Sequence, residues 1–165
     1  MKIGIFYTTS NKSTKKSCKI LSGKLNADTQ LIPIKKAKDE CILKYNFIIL
    51  AASAINAKVQ SSLKIYISRN IKNLKEKPIG LIINCEEDID RFDKTFTNDL
   101  VNSSRINSNF GFELDLDETN FIEKRKTNKL IRKYENNNKE LPSINLKEID
   151  KFADYINNLI EKRVD

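Results

Sequence analysis

The stretch KIGIFYTTSNKST, residues 2–14, decides the fold of this chain. Residues 2–7 are mostly apolar and predict a buried strand, and the lysine-rich segment that follows places Thr14, Cys18, Leu21 and Leu25 at helical spacing. A polar loop joins the two. The first N–H groups of a helix have no partners inside the helix, and its dipole is positive there. The junction therefore predicts an anion-binding site, and a phosphate group is the expected ligand.

The loop owes its polarity to short hydroxyl and amide side chains. They belong to Thr8, Thr9, Ser10, Asn11, Ser13 and Thr14. Such groups are suited to hold a phosphate at the start of a helix. Ser and Thr in front of a helix also serve as N-caps and turn residues without any ligand. Both interpretations stay open on the residues alone.

Apolar runs of strand length alternate with segments of helical period along the rest of the chain. The predicted strands are residues 2–7, 29–34, 47–52, 79–84 and 110–114. Helical spacing recurs over residues 14–25, 59–74 and 149–160, and Phe92, Phe96 and Leu100 predict a further helix capped by Asp88 or Asp90. This alternation predicts an open parallel sheet with helices on both faces. The third and fourth strands are nearly all apolar, so we expect them to be buried on both faces.

Ligands of open parallel sheets bind outside the carboxyl ends of the strands, at a topological switch point. Three loops of this chain follow such ends, over residues 8–14, 53–57 and 84–88. We therefore expect these loops to line the binding site.

Composition narrows the range of functions. A length of 165 residues suits one domain, residues 1–165, with a sizeable core. Histidine is absent, and Cys18, Cys41 and Cys85 lack the spacing of metal ligands. We expect no zinc site, no histidine-based catalysis and no disulfide framework, which fits a reducing cytoplasm. No signal peptide is expected, and the longest apolar run, residues 47–52, is too short to cross a membrane.

The net charge of +8 raises the question of a nucleic-acid or membrane partner. Most of the basic residues are lysines, and the chain is rich in Lys, Asn and Ile together, as a bias over a whole proteome would produce. It has no glycine-aromatic RNA-binding signature and no basic zipper. Nucleic-acid binding is therefore not the favoured role.

Residues 117–142 form an insert that is too long for an ordinary connection. Between Asn120 and Tyr134 it carries six basic residues and several apolar ones. One interpretation is an extra basic helix packed on the domain. The other is an element that docks a partner or a membrane surface, although its sparse apolar face argues against membrane insertion.

The phosphate loop lacks the G-x-G-x-x-G and G-x-x-x-x-G-K-[ST] patterns of common nucleotide sites. It also lacks the acidic residues of a response-regulator receiver. Residues 7–14, YTTSNKST, resemble the aromatic-x-[Ser/Thr]-x-x-small-x-Thr loop of flavodoxins, with Thr9 and Thr14 at the two hydroxyl positions. Residues 52–58, ASAINAK, are similar to the small-residue segment that flanks the flavin ring in that family.

The resemblance implies a flavodoxin-like five-stranded parallel sheet of order 2-1-3-4-5 and FMN as the cofactor. It implies an oxidoreductase or electron-transfer protein in which the flavin does the redox chemistry. The phosphate would be held by the first loop, and the ring would be bordered by the other two. The implied cofactor-binding residues are Thr8, Thr9, Ser10, Asn11, Lys12, Ser13, Thr14, Ser53, Ala54, Ile55, Asn56, Asn84, Cys85 and Glu86.

Some residues depart from the family pattern. Lys12 stands where a small residue is usual, and it tolerates a positive φ badly, although its ammonium group is also able to reach a phosphate. The ring-flanking loops lack the Trp and Tyr that commonly sandwich the flavin. The alternative function is therefore an interaction module of flavodoxin fold that has lost FMN.

The insert and the closing segment LKEIDKFADYINNL resemble the flavodoxin-domain group that contains menaquinone-dependent protoporphyrinogen oxidase. That resemblance implies a redox partner or a membrane surface in contact with the basic insert, and a cytoplasmic protein peripheral to the membrane.

Overall fold

The computed structural model describes residues 1–8, 12–37, 39–53, 61–85, 92–114 and 121–162. Its sheet has five parallel strands: β1 (Lys2–Tyr7), β2 (Asp28–Pro33), β3 (Phe47–Ser53), β4 (Ile79–Asn84) and β5 (Ile106–Asn109). Their order is β2-β1-β3-β4-β5, which confirms the predicted order. The strand order reverses direction across the sheet between β1 and β3, so the switch point lies beside the end of β1.

The described residues also form helices on both faces of the sheet. They are α1 (Ser13–Lys24), α2 (Ser61–Lys75), α3 (Phe92–Thr95), α4 (Asn98–Ser103), α5 (Phe121–Asn136) and α6 (Leu146–Glu161). Two short 3₁₀ helices, Ile34–Lys36 and Asp39–Lys44, lie between β2 and β3. No helix in the described ranges is long and apolar enough to cross a membrane.

The sheet separates two apolar cores. On one face, Phe6, Leu50 and Leu81 pack against residues of α2, α3 and α4. On the other face, Ile5 and Ile49 pack against residues of α1 and α6. Every residue of β3 and β4 is buried, which confirms the prediction that these strands are covered on both sides.

The predicted position of the fifth strand, residues 110–114, is wrong. The strand is Ile106–Asn109, paired with β4 from Gly80↔Ile106 to Ile83↔Asn109. Gly111 has a φ of +62° and bridges Ile144 in the antiparallel sense, so the backbone leaves the sheet there. The apolar side chain of Phe110 is fully buried against α6 rather than in a strand.

The predicted helix through Phe92, Phe96 and Leu100 is two short helices, α3 and α4, divided at an extended Thr97. All three predicted apolar side chains are buried as expected. The suggested caps, Asp88 and Asp90, lie outside the described residues. The basic insert contains one long helix, α5.

Candidate functional site

Three strand ends meet at the carboxyl edge of the sheet. Tyr7 pairs with Ala51, and Ser53 pairs with Asn84, so β1, β3 and β4 end side by side. The N–H of Thr8 continues this pairing by donating to the carbonyl of Ala51 at 2.9 Å. Because α1 begins a few residues beyond Thr8, its N-terminus lies at the same edge. The fold therefore brings the described residues from which the predicted loops start, Thr8, Ser53 and Asn84, to one edge of the sheet.

Seven of the predicted site residues lie in the described part of the chain. They are Thr8, Lys12, Ser13, Thr14, Ser53, Asn84 and Cys85. The other seven, Thr9, Ser10, Asn11, Ala54, Ile55, Asn56 and Glu86, lie outside it. The described residues thus frame the base of the site and the start of α1.

The start of α1 carries positive charge without a conventional cap. Lys12, the residue in front of the helix, has a φ of +64° and its side chain makes no capping hydrogen bond. The first turn contains no acidic residue, and Lys15 and Lys16 are exposed there. Cations at a helix N-terminus oppose the dipole, at a cost of about 0.3–1 kcal/mol each. The carboxylate of Glu113 offsets this cost at Lys16, and an anion at this position would offset it at Lys15.

Two buried hydroxyls stand on either side of the loop between β1 and α1. The Oγ1 atoms of Thr8 and Thr14 are buried and have no hydrogen-bond partner among the residues that the structure describes. A buried hydroxyl without a partner is unfavourable, so such groups usually have one. A bound anion in contact with them would accept a hydrogen bond from each. The donor set therefore fits a phosphate group.

The segment after β5 is attached to the first turn of α1. The N–H of Glu113 donates to Oγ of Ser13 at 3.1 Å, and Lys16 Nζ lies 2.6 Å from a carboxylate oxygen of Glu113. Ser13 keeps its hydroxyl proton for a further acceptor, because its oxygen acts as the acceptor in this contact. Glu113 is not among the predicted site residues. No local pattern marks it, since the contact spans 100 positions in the sequence.

Asn84 lies at the centre of a second set of contacts beneath the site. Its Nδ2 donates to the carbonyl of Gly111 at 2.7 Å and to Oγ of Ser17 at 3.2 Å. Ser17 in turn donates to the carbonyl of Thr14 at 3.0 Å. The side chain of Asn84 is fully buried and holds β4, α1 and the segment after β5 together. In the structure, Asn84 therefore positions the start of α1.

Cys18 and Cys85 are buried thiols. The amide of Asn109 donates to the sulfur of Cys85 at 3.3 Å, so this thiol is packed against β5. Burial raises the pKa of the Cys18 thiol to about 12. Burial, with a smaller effect of Cys18, also raises the pKa of Tyr7. Since the reactive form of cysteine is the thiolate, Cys18 is inert at neutral pH.

The sequence model of the family described as flavodoxin domain matches residues 4–141. The chain belongs to the flavodoxin domain family. The flavodoxin fold predicted from the first loop is thereby confirmed, and the match includes that loop and most of the insert. No curated protein sequence matches the chain.

Solved structures of flavodoxins share the fold. The two-electron reduced flavodoxin of Megasphaera elsdenii is 13% identical with a TM-score of 0.59, over 76% of this chain and 96% of that one. Oxidised flavodoxin 2 of Bacillus cereus is 15% identical with a TM-score of 0.54, over 83% and 99%. A larger enzyme, the rubredoxin:oxygen oxidoreductase of Desulfovibrio gigas, is 12% identical with a TM-score of 0.55, over 79% and 34%.

Proposed function

We propose that this protein binds FMN and acts as an oxidoreductase or electron-transfer protein of the cytoplasm. The observation that carries the proposal is the start of α1, where lysines and unpartnered buried hydroxyls meet without any acid in the first turn. Membership of the flavodoxin domain family supports the same cofactor, and flavodoxin structures with similar folds include oxidised and two-electron reduced forms. When bound, FMN would supply the redox chemistry, and the protein would bind and orient it.

The phosphate of FMN is assigned to the first loop and the first turn of α1. Thr8, Ser13 and Thr14 supply hydroxyl donors there, and Lys12 supplies a charge. Thr9, Ser10 and Asn11 complete the loop in this assignment. The remaining residues of the proposed site border the ring, from Ser53 to Asn56 and from Asn84 to Glu86. No side chain is assigned a catalytic role.

The buried hydrogen-bond donors should make the protein bind FMN more tightly than riboflavin. Only FMN carries the phosphate that these groups would hold, and hydrogen bonds to charged groups contribute roughly 1.5–3 kcal/mol each. Isothermal titration of the flavin-free protein should therefore give a dissociation constant for FMN at least about tenfold below that for riboflavin. Equal affinities would refute the role of the α1 start. A purified protein without the visible absorption of flavin that also fails to bind added FMN would refute the proposal.

The second candidate is an interaction module of the same fold without FMN. One observation favours it: Lys12 adopts a φ of +64°, a conformation that costs a non-glycine residue on the order of 1 kcal/mol. A lysine in this conformation stands where the family usually has a small residue, a departure that favours a chain without FMN. The same titration with FMN decides between the two candidates.

The finer assignment within the family is also a proposal. The position of α5 after β5 and the apolar face of α6 support kinship with the group that contains menaquinone-dependent protoporphyrinogen oxidase. On that assignment α5 contacts a redox partner or a membrane surface.

A further inference from the structure

Helix α5 lines a concave space of about 1070 Å³, which we call the basic groove. Its charged lining residues are Lys124, Arg125, Lys129, Arg132 and Lys133, and Phe121 stands at its beginning. Phe121, Arg125, Lys129 and Arg132 are spaced by four, four and three positions. This spacing puts them on one side of the helix. The groove therefore presents a continuous row of cations that starts with an aromatic ring.

Four cations of the basic groove are not neutralised by the described part of the protein. Lys124, Arg125, Lys129 and Arg132 are exposed and form no ion pair with any residue in the described ranges. Lysines on other elements do form such pairs, namely Lys2, Lys16, Lys24, Lys75 and Lys151. Like charges at helical spacing repel one another, so the row is unfavourable in isolation. A negatively charged partner would relieve this repulsion.

The distribution of apolar side chains on α5 argues against a bilayer as that partner. Phe121 is 78% exposed. Among the α5 side chains that the structure describes, no other large hydrophobic one is exposed. Leu130 and Ile131 are half-buried and Tyr134 is buried, so they face the domain. Amphipathic helices that lie in a membrane need a broad apolar face toward the lipid.

The same features suit a protein ligand. Arginine forms two parallel hydrogen bonds with a carboxylate, and α5 offers Arg125 and Arg132 one above the other on the groove side. Aromatic and arginine side chains are the residues that most often dominate the energy of protein interfaces. Phe121 supplies the aromatic anchor beside this pair.

We propose that the basic groove binds an acidic polypeptide segment of a partner protein. Asp and Glu side chains of the partner would pair with Lys124, Arg125, Lys129 and Arg132, and an apolar residue of the segment would cover Phe121. The inference rests on the proposed function, because an electron-transfer protein needs a partner protein. The cations of the basic groove indicate that this partner is acidic. Complementary charge on the partner would also speed the encounter of the two proteins.

The test uses the full-length protein with FMN and fluorescently labelled poly-L-glutamate as the probe, followed by fluorescence anisotropy. A groove variant carries Lys124→Gln, Arg125→Gln, Lys129→Gln and Arg132→Gln. A control variant carries Lys35→Gln, Lys44→Gln, Lys72→Gln and Lys147→Gln, exposed positions on other elements with the same loss of charge. We expect the groove variant to bind at least about tenfold more weakly at low salt, and the control within about threefold of the wild type. Binding of the wild type should fade as salt rises, because salt screens exposed charges.

Equal losses in the two variants would overturn the proposal, because poly-L-glutamate would then sense only the net charge. Tighter binding to phosphatidylcholine–phosphatidylglycerol vesicles or to a short DNA duplex than to poly-L-glutamate, lost in the groove variant, would overturn the polypeptide assignment. Flavin absorbance of each variant keeps the two proposals separate. Failure to bind added FMN with intact groove binding refutes the proposed function alone, and retained FMN binding without groove binding refutes only this inference.

Discussion

Two helices pack on the same face of the sheet and begin in opposite ways. Helix α6 begins conventionally: the side chain of its N-cap, Asn145, accepts a hydrogen bond from the N–H of Glu148 at 3.2 Å. The carboxylate of Glu148 then accepts bonds from Ser108 at 3.0 Å and from Lys151 at 2.6 Å. Such a start has its donors capped and an acid near the positive end of the dipole.

Helix α1 begins with Lys12 in a left-handed conformation, without a side-chain cap and without an acid in its first turn. The hydroxyls of Thr8 and Thr14 beside it are buried without partners in the described part of the chain. A missing cap costs a helix about 0.5–2 kcal/mol. The start of α6 is thus capped by its own side chains, whereas the start of α1 has no side-chain cap from Lys12, which is what the proposed phosphate site requires.

Replacing Thr14 by Val gives the largest expected effect. The hydroxyl has no partner in the described structure, so its removal should leave the free energy of unfolding of the flavin-free protein unchanged or slightly higher. FMN binding should weaken by roughly 1.5–3 kcal/mol, the value of a bond to a charged group. Isothermal titration with FMN and urea unfolding measure the two quantities.

Ser17→Ala is the matched control for Thr14→Val. Ser17 lies one turn further along α1 and is bonded to the Thr14 carbonyl and to Asn84. Its loss should lower the free energy of unfolding by about 1–3 kcal/mol, since it leaves buried polar groups without a partner. If Thr14→Val also destabilises the protein and leaves FMN affinity intact, the start of α1 is a capped helix end like that of α6.

At α6, Glu148→Gln should lower the free energy of unfolding by about 1 kcal/mol at pH 7, the usual value of one hydrogen bond. The hydrogen bond from Lys151, supported by that from Ser108, holds the pKa of the Glu148 carboxyl below its ordinary value. A carboxylate with a lowered folded pKa stabilises the protein above its unfolded pKa, and that contribution is lost as the pH falls through the folded value. The difference between wild type and variant should therefore shrink between about pH 5 and 3 in urea unfolding.

The exposed Glu76 gives the control, because Glu76→Gln should have little effect at either pH. A Glu148→Gln difference that persists unchanged at about pH 3 would show that the carboxylate charge does not stabilise the start of α6.

The sequence predicts the central sheet well because β3 and β4 are apolar runs that must be buried on both faces wherever their partners lie. It misplaces the edge strand because the residues of that strand, INSN, are mostly polar. The position of β5 comes from pairing with β4 and from the bond of Ser108 to Glu148, 40 positions away. Periodicity contains no information on such contacts, and the apolar Phe110 shifts the predicted strand toward the C-terminus.

The candidate site likewise contains residues that the sequence identifies and residues that it does not. The hydroxyls of the first loop are adjacent along the chain, so their sequence alone marks the loop as a candidate. Ser17 and Glu113 carry no such mark, because each acquires its role from a residue 67 or 100 positions away. Asn84 is predicted beside the ring, and its amide is engaged by Ser17 and Gly111. A short-range pattern identifies donors but not which of them the fold already uses.

The smallest expected effect concerns Lys12, where the two helix starts differ most in backbone conformation. Lys12→Gly should raise the free energy of unfolding by about 0.5–1 kcal/mol, because glycine adopts a φ of +64° without strain. It should also weaken FMN binding by a few fold, because a cation beside the phosphate is lost. Lys12→Gln separates the two contributions, since it removes the charge and keeps the strain. It should weaken FMN binding equally and leave stability near that of the wild type. If Lys12→Gly instead binds FMN more tightly than the wild type while Lys12→Gln does not, then Lys12 obstructs the phosphate through its backbone strain, and the open start of α1 is only partly adapted to its ligand.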